Sequence, residues 1–206
     1  MTGNRNLFLS TWTPAALVIL SLSLNGTDVS CQEGAFAFQI RGGATAPVAG
    51  FLDEGEGWEE KAGPHRSFGM GFTFPLYRSL GGYLGFSQHR FACDSDVCPE
   101  GEKWITTGFD VALRMVFGRT GLRSWIQAGI HTNRIEGVVF ERGDERSLHS
   151  EGGGGYEMGG GVLVEVGERM SLAPGIRYGL SDVPFATRPS LGLRYLVVDL
   201  GLVLGF

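Results

Sequence analysis

The sequence predicts an all-β protein, a single eight-stranded, antiparallel, up-and-down transmembrane β-barrel. Three observations predict it. Long segments alternate between apolar residues and small or polar ones, which is the period of a β-strand. The connections between these segments are short and long in turn. Mean hydropathy is nearly neutral at +0.04, as expected for a wall in which every second residue faces lipid.

The alternation is clearest in three segments, each with one apolar face and one face of mostly small, polar or charged residues. Each run has about the length, near ten residues, that a tilted strand needs to cross a bilayer. The apolar faces are Phe68, Met70, Phe72, Phe74 and Leu76; Ile105, Thr107, Phe109, Val111, Leu113, Met115 and Phe117; and Leu196, Val198, Leu200, Leu202, Leu204 and Phe206.

We predict eight strands, at 35–46, 65–77, 80–92, 103–118, 122–140, 154–167, 170–180 and 190–206. Tight turns are expected near 78–79, 119–121 and 168–169. Long, polar connections are expected at 47–64, 93–102, 141–153 and 181–189. Short turns on one side and long loops on the other are the plan of outer-membrane barrels, with the even strand count placing both termini on the short-turn side.

A soluble β-sandwich is the structural alternative. It also shows alternation, but its strands are shorter, and here it would leave the apolar stripes without a covering layer. A closed barrel in lipid has no free edge, so every strand N–H and C=O group finds a partner.

Residues 1–31 read as a signal peptide and 32–206 as the barrel domain. Arg5 supplies a positive start, and Pro14–Leu24 is an apolar run that suits export but is too short to span a bilayer. Cleavage is expected near Cys31–Gln32, with Ala35–Ala37 as a rival site. Acylation of Cys31, as in a lipoprotein, is the alternative. Asp28 disfavours it, because a lipoprotein signal has an apolar residue at that position.

The charge balance limits the partners. The 206 residues include 17 Lys and Arg against 22 Asp and Glu, a net charge of −5. Because no strongly basic block exists, nucleic acid is not an expected partner.

Cys93 and Cys98 form an even pair in a turn-rich segment. In an exported protein this spacing predicts a disulfide. A Ca²⁺ site built from the acids of the same segment is the alternative, but the spacing is not that of an EF-hand loop. We therefore predict no metal and no cofactor.

Charged residues recur on the face opposite the apolar one. An eight-stranded barrel has an interior just wide enough for side chains to fill, and opposite charges can pair there. We therefore predict a lumen closed by an ion-pair network, with a conducting pathway as the alternative and inward glycines making room for long side chains. The predicted network is Arg41, Asp110, Arg114, Glu157, Glu165, Arg177 and Asp199.

The last eight residues resemble the C-terminal assembly signal of bacterial outer-membrane proteins, through Asp199, Gly201, Leu204 and Phe206. The mature chain as a whole resembles the small OmpA/OmpX-type barrels in strand number, loop plan and length. The resemblance implies insertion by the barrel assembly machinery. It also implies a monomer in the bacterial outer membrane, surrounded by lipid and lipopolysaccharide. No peptidoglycan-binding domain is expected to follow the barrel.

Some barrels of this kind are deacylases or acyltransferases of lipid A, which implies a His–Ser pair with an acid near the outer rim. This chain offers His149-Ser150-Glu151, and His65 with Ser67. Neighbouring side chains rarely meet on a strand, and loop His and Ser residues are usually solvated. We therefore predict no catalytic residues and expect a structural or surface-interaction role in the envelope.

Two further expectations concern the ends of the barrel. The long loops are candidates for a surface ligand, above all the acidic first loop around Trp58, which is otherwise a solvated loop. Aromatic girdles are expected at both membrane interfaces. We assign Trp58, Trp104, Phe140 and Phe185 to the outer girdle and Tyr77, Tyr83 and Phe206 to the inner one.

Overall fold

The computed structural model of the chain confirms the eight-stranded antiparallel barrel. It describes residues 36–48, 52–53, 56–57, 62–93, 103–119, 121–141, 144–186 and 191–206. The barrel strands are β1 (Ala37–Pro47), β2 (His65–Tyr77), β3 (Leu80–Cys93), β4 (Lys103–Arg119), β5 (Leu122–Glu141), β6 (Gly153–Gly167), β7 (Met170–Val183) and β8 (Leu191–Gly205). The predicted signal peptide lies outside the described residues and stays a prediction.

Each strand pairs antiparallel with the next, and the first strand pairs with the last. The ladder between β1 and β8 runs from Ala37–Gly205 to Pro47–Tyr195. This ladder closes the sheet on itself, so neither edge strand is left with unpaired backbone groups, as a hydrocarbon environment requires.

The connections differ between the two ends of the barrel as predicted. Two turn residues each join β2 to β3 (Arg78–Ser79) and β6 to β7 (Glu168–Arg169), and Gly121 adopts a positive φ of 91° in the turn before β5. We call this side, which also holds Phe206, the inner end, and the side of the long connections the outer end.

One predicted loop contains a strand. Residues 141–153 were expected to be irregular, but Asp144–His149 folds back and pairs with β5 from Glu141 to Glu136. The sheet therefore rises higher at β5 than at the other strands. In the first long connection, three two-residue strands occur, at Leu52–Asp53, Glu56–Gly57 and Ala62–Gly63.

The outside of the barrel is a belt of exposed apolar side chains, and the alternation of the sequence produces it. In the described part of the chain, no helix has the length and apolarity needed to span a membrane. The belt includes Ile40, Phe72, Leu84, Phe109, Val111, Leu113, Ile126, Ile130, Met158, Ile176, Val198 and Leu200, all between 40% and 67% exposed.

The inside of the barrel has three layers. A polar and charged layer occupies the middle. Below it, at the inner end, Trp125 packs with Leu163 and Ala173. Above it lies a set of apolar side chains that we call the outer apolar cluster: Phe91, Trp104, Ile135, Val183, Leu191, Leu193, Tyr195 and Val197.

Two aromatic side chains differ from the girdle assignment. Trp104 is 2% exposed and Tyr83 is 0% exposed, because both point into the lumen rather than to an interface. Tyr77 and Phe206, by contrast, are 65% and 71% exposed at the inner end. The side chains of Trp58 and Phe140 lie outside the described residues.

Candidate functional site

Six charged side chains from five strands meet in the middle of the lumen. They comprise three guanidinium groups and three carboxylates, all at most 6% exposed, so their formal charges cancel. Alternation places each of them on the inward face of its strand. We call this set the charge layer: Arg41, Asp110, Arg114, Glu157, Arg177 and Asp199.

Five members form a continuous chain of ion pairs. Arg41 Nη2 lies 3.1 Å from Asp110 Oδ2, and Arg41 Nε lies 3.9 Å from Asp199 Oδ2. Arg177 continues the chain, with Nε 3.0 Å from Asp199 Oδ2 and Nη1 3.3 Å from Glu157 Oε1. The positive and negative groups therefore alternate across the lumen.

Arg114 is held differently. Its Nε and Nη2 atoms donate to Gln127 Oε1 at 2.9 and 2.7 Å. Its guanidinium carbon lies 4.9 Å from the ring centroids of both Tyr83 and Trp125. Among the described residues no carboxylate forms an ion pair with it, so an amide and two aromatic faces stabilise this cation.

Glycine provides the space that these long side chains need. A Cβ atom at Gly69 would collide with the Arg41 side chain, and one at Gly85 would collide with the Tyr83 ring. Tyr83 in turn accepts a hydrogen bond from Arg41 Nη1 at 3.0 Å. The glycines on the inward face therefore determine where the charge layer can lie.

The layer fills the lumen with groups that depend on each other. Removing charges from water is costly, and close pairing with further hydrogen bonds offsets that cost. Ser87 Oγ contributes one such bond, donated to Asp110 Oδ1 at 3.1 Å. The arrangement holds charges of opposite sign at fixed positions in a narrow interior, where they neutralise each other.

Glu165 does not join the charge layer. It shares the inward face, but it lies at the inner end of β6, where Oε1 is 3.0 Å from Arg123 Nη2 and Oε2 accepts from the Gly121 amide at 3.0 Å. The position along the strand, rather than the face, separates it from the other predicted members.

The structure brings neither sequence-proposed His–Ser pair together. His65 Nδ1 accepts the Arg66 amide at 2.7 Å, and Ser150 Oγ accepts the Ile135 amide at 2.7 Å. Ser150 therefore fastens the connection after Asp144–His149 to β5. His149, the last residue of the strand Asp144–His149, is exposed.

A different His–Ser pair forms in the lumen. Ser67 Oγ lies 3.0 Å from His89 Nδ1, with both residues buried. Tyr195, a member of the outer apolar cluster, packs on the His89 ring with centroids 4.8 Å apart. In the described residues no acid hydrogen-bonds His89, and the cluster covers the pair, so a substrate has no visible approach to this serine.

Several residues of the site were not predicted from the sequence. Tyr83, Trp125 and Gln127 all hold or flank the buried charges, and all three lie on inward positions of their strands. Applying the alternation to every polar and aromatic residue, rather than to charged residues alone, would have found them.

The structure describes the predicted C-terminal signal in full and the predicted cysteine pair and acidic first loop only in part. Asp199 and Gly201 of the C-terminal signal face the lumen, while Leu204 and Phe206 face outward. Cys98, the side chain of Cys93 and most of the acidic first loop lie outside the described residues. Among the residues that are described, no group of three or more His, Cys, Asp or Glu side chains is placed to hold a metal ion.

Comparisons with known proteins support the fold. No family model and no curated protein matches the sequence. Among solved structures, Neisserial surface protein A matches at 16% identity and a TM-score of 0.60, over 84% of this chain and 100% of that chain. A major outer membrane protein from Thermus thermophilus matches at 11% identity and a TM-score of 0.52, over the same shares of the two chains. The chain has the fold of small barrels of the bacterial outer membrane, and its exposed apolar belt suits a lipid environment.

Proposed function

We propose that the chain is a non-conducting barrel of the outer membrane with a structural or surface-interaction role in the envelope. The observation that carries this proposal is the filling of the lumen. The outer apolar cluster lies across the outer end, with Phe91, Leu193 and Val183 fully buried, and the charge layer lies beneath it.

The two layers oppose ion passage in different ways. An ion entering from outside would lose its hydration among apolar side chains, which is strongly unfavourable. Below them, the three guanidinium and three carboxylate groups balance in formal charge, so the layer has no net charge to attract a passing ion. A narrow channel would require both layers to rearrange.

Single-channel recording in planar bilayers tests the proposal. The wild-type barrel should be silent. A triple variant, Trp104→Ala with Arg41→Ala and Asp110→Ala, should conduct, because it opens both layers at one place. Insertion and closure of both proteins are checked by their gel mobility, boiled against unboiled. Steady conductance of the wild-type protein would overturn the proposal.

Two parts of this role involve other molecules. The C-terminal residues Asp199, Gly201, Leu204 and Phe206 are proposed as the contact with the barrel assembly machinery, supported by their spacing at the end of β8. The long connections at the outer end are proposed as the surface for an external ligand. No geometry among the described residues favours the lipid A-modifying alternative.

A further inference from the structure

The barrel wall is interrupted between β4 and β5. The paired register runs from Ile105–Glu136 to Thr107–Arg134, stops, and resumes at Asp110–His131. Within this gap, the Phe109 amide donates to the side chain of Thr132, with N and Oγ1 3.3 Å apart. A side-chain hydroxyl thus takes the place of a backbone carbonyl in a wall that faces lipid, where an unsatisfied N–H would be costly.

A hollow lies over this interruption. Its volume is about 470 Å³, and most of its lining residues lie on the outward face of the wall. The rings of Phe86 and Phe109 line it, with centroids 5.7 Å apart. Thr107, Thr132 and Arg134 also line it from the outward face, and it extends to the inward positions Gly108, Asn133 and Gly153. The hollow therefore combines an apolar wall with one cationic residue.

The height of Arg134 in the membrane follows from the length and tilt of β5. The stretch of β5 from Leu122 to Arg134 rises by about 30 Å at the usual strand tilt, whereas the apolar band of an outer-membrane barrel is about 25 Å tall. The guanidinium group therefore lies at the level of the outer headgroups. Phe109 lies beside Thr132, two residues closer to the inner end than Arg134.

Two more arginines lie near the level of Arg134 on β2 and β3, which are adjacent to each other and separated from β5 by β4. Ser67 on β2 pairs with His89 on β3, and Arg66 and Arg90 each lie one residue beyond this pair, on its outer side. Like Arg134, they alternate with inward residues and therefore face outward. By the same estimate they lie about 25–28 Å above the inner ends of β2 and β3.

The three arginines lack acidic partners within the described chain. Arg90 donates to the Gln88 amide oxygen at 3.3 Å, and no ion pair of Arg66 or Arg134 with a described acid occurs. Glu136 is the one acid of β5 on the face of Arg134. Arg66 and Arg90 lie on adjacent strands, where like charges repel, so this surface is suited to an anion that the guanidinium groups share.

We propose that this part of the wall binds a phosphorylated glycolipid of the outer leaflet, the lipid A moiety of lipopolysaccharide. Its phosphate groups lie against Arg134, Arg90 and Arg66, since guanidinium groups bind phosphate through paired hydrogen bonds. One acyl chain lies in the hollow between Phe86 and Phe109. The inference goes beyond the proposed function, because a silent barrel does not require a specific lipid.

Charge and shape together select this ligand. A soluble phosphate would use the arginines but not the hollow below them. An ordinary phospholipid offers one phosphate, whereas the arginines span three strands. Lipid A carries phosphate at both ends of a sugar pair, with acyl chains directly beneath.

Native mass spectrometry of the full-length barrel in detergent, titrated with purified lipid A, tests the proposal. The double variant Arg90→Gln/Arg134→Gln should bind at least tenfold more weakly than wild type. The matched control, Arg78→Gln/Arg169→Gln, removes the same charge from the inner turns and should bind as wild type does. Thr107→Trp, which fills the hollow and keeps the Phe109–Thr132 bond, should also weaken binding.

Closure of each variant is verified by the heat-dependent gel shift, so that a misfolded protein is not scored. Lipid A from which the phosphates have been removed should bind at least tenfold more weakly to the wild-type barrel. Equal affinity of the outer and inner double variants would overturn the proposal. Phosphatidylglycerol that binds as tightly as lipid A, with the same dependence on Arg134, would also overturn it by showing a general preference for anionic lipid.

Discussion

Arg177 Nε lies 3.0 Å from Asp199 Oδ2, and neither side chain is exposed. The same carboxylate oxygen lies 3.9 Å from Arg41 Nε. One buried oxygen on β8 is therefore shared by guanidinium groups of β7 and β1. This makes Asp199 the acid on which two of the three buried cations depend.

Replacing Asp199 with Asn should lower the free energy of unfolding by about 3–5 kcal/mol, the usual cost of leaving a buried ion pair without one partner. The size of the side chain is kept, so the loss is that of the charge. Urea unfolding in detergent micelles, followed by the gel shift, measures it. Asp182→Asn is the matched control, because Asp182 is exposed on β7, and it should change the unfolding midpoint little. Equal effects of the two substitutions would show that the charge layer adds nothing to stability.

Leu200→Arg should destabilise the inserted barrel by about 2–4 kcal/mol, since a cation would face lipid near the bilayer midplane. Leu200 is 54% exposed and lies one residue from Asp199, on the opposite face of β8. Leu122→Arg, at the inner end of β5 and 60% exposed, should cost at most about 1 kcal/mol because it lies near an interface. Unfolding titrations in lipid vesicles give both values, and a cost independent of depth would contradict the membrane placement.

Gly85→Ala should destabilise the barrel by about 1–3 kcal/mol through overpacking. The three heavy atoms nearest to the added Cβ all belong to the Tyr83 side chain. The penalty should therefore shrink when Tyr83 is replaced by Leu, and the double-mutant cycle measures this coupling. Gly42→Ala is the control, because an added Cβ there meets nothing within 4 Å. A penalty unchanged by the Tyr83 substitution would place the strain in the backbone instead.

The strands and their two faces could be predicted because alternation is a local property. Residue 110 faces inward whatever its partner on another strand is. The pairing of Arg41 with Asp110 and Asp199 could not be predicted in the same way. It depends on the stagger of the strands around the barrel, which no single segment specifies.

The features that differ from the sequence-based predictions do so for separate physical reasons. Tyr83 and Trp104 were assigned to the interfaces because aromatic residues favour them, but a narrow lumen also needs large side chains to fill it. Glu165 lies on the inward face, at a height set by that stagger. The strand at Asp144–His149 depends on a turn above the membrane, where the apolar alternation that marks the other strands is absent.

The charge layer also bears on how the barrel can form. Arg41 belongs to the first strand and Asp199 to the last, and Gly43 pairs with Asp199 along the seam that joins them. The guanidinium group of Arg41 therefore gains this contact only when the two ends of the sheet meet. Closing the seam joins the pair of Arg41 and Asp110 to the pairs that Arg177 forms with Asp199 and Glu157, so a half-closed barrel lacks the contact that makes the chain of ion pairs continuous. This contact across the seam therefore favours the closed ring over open intermediates that lack it.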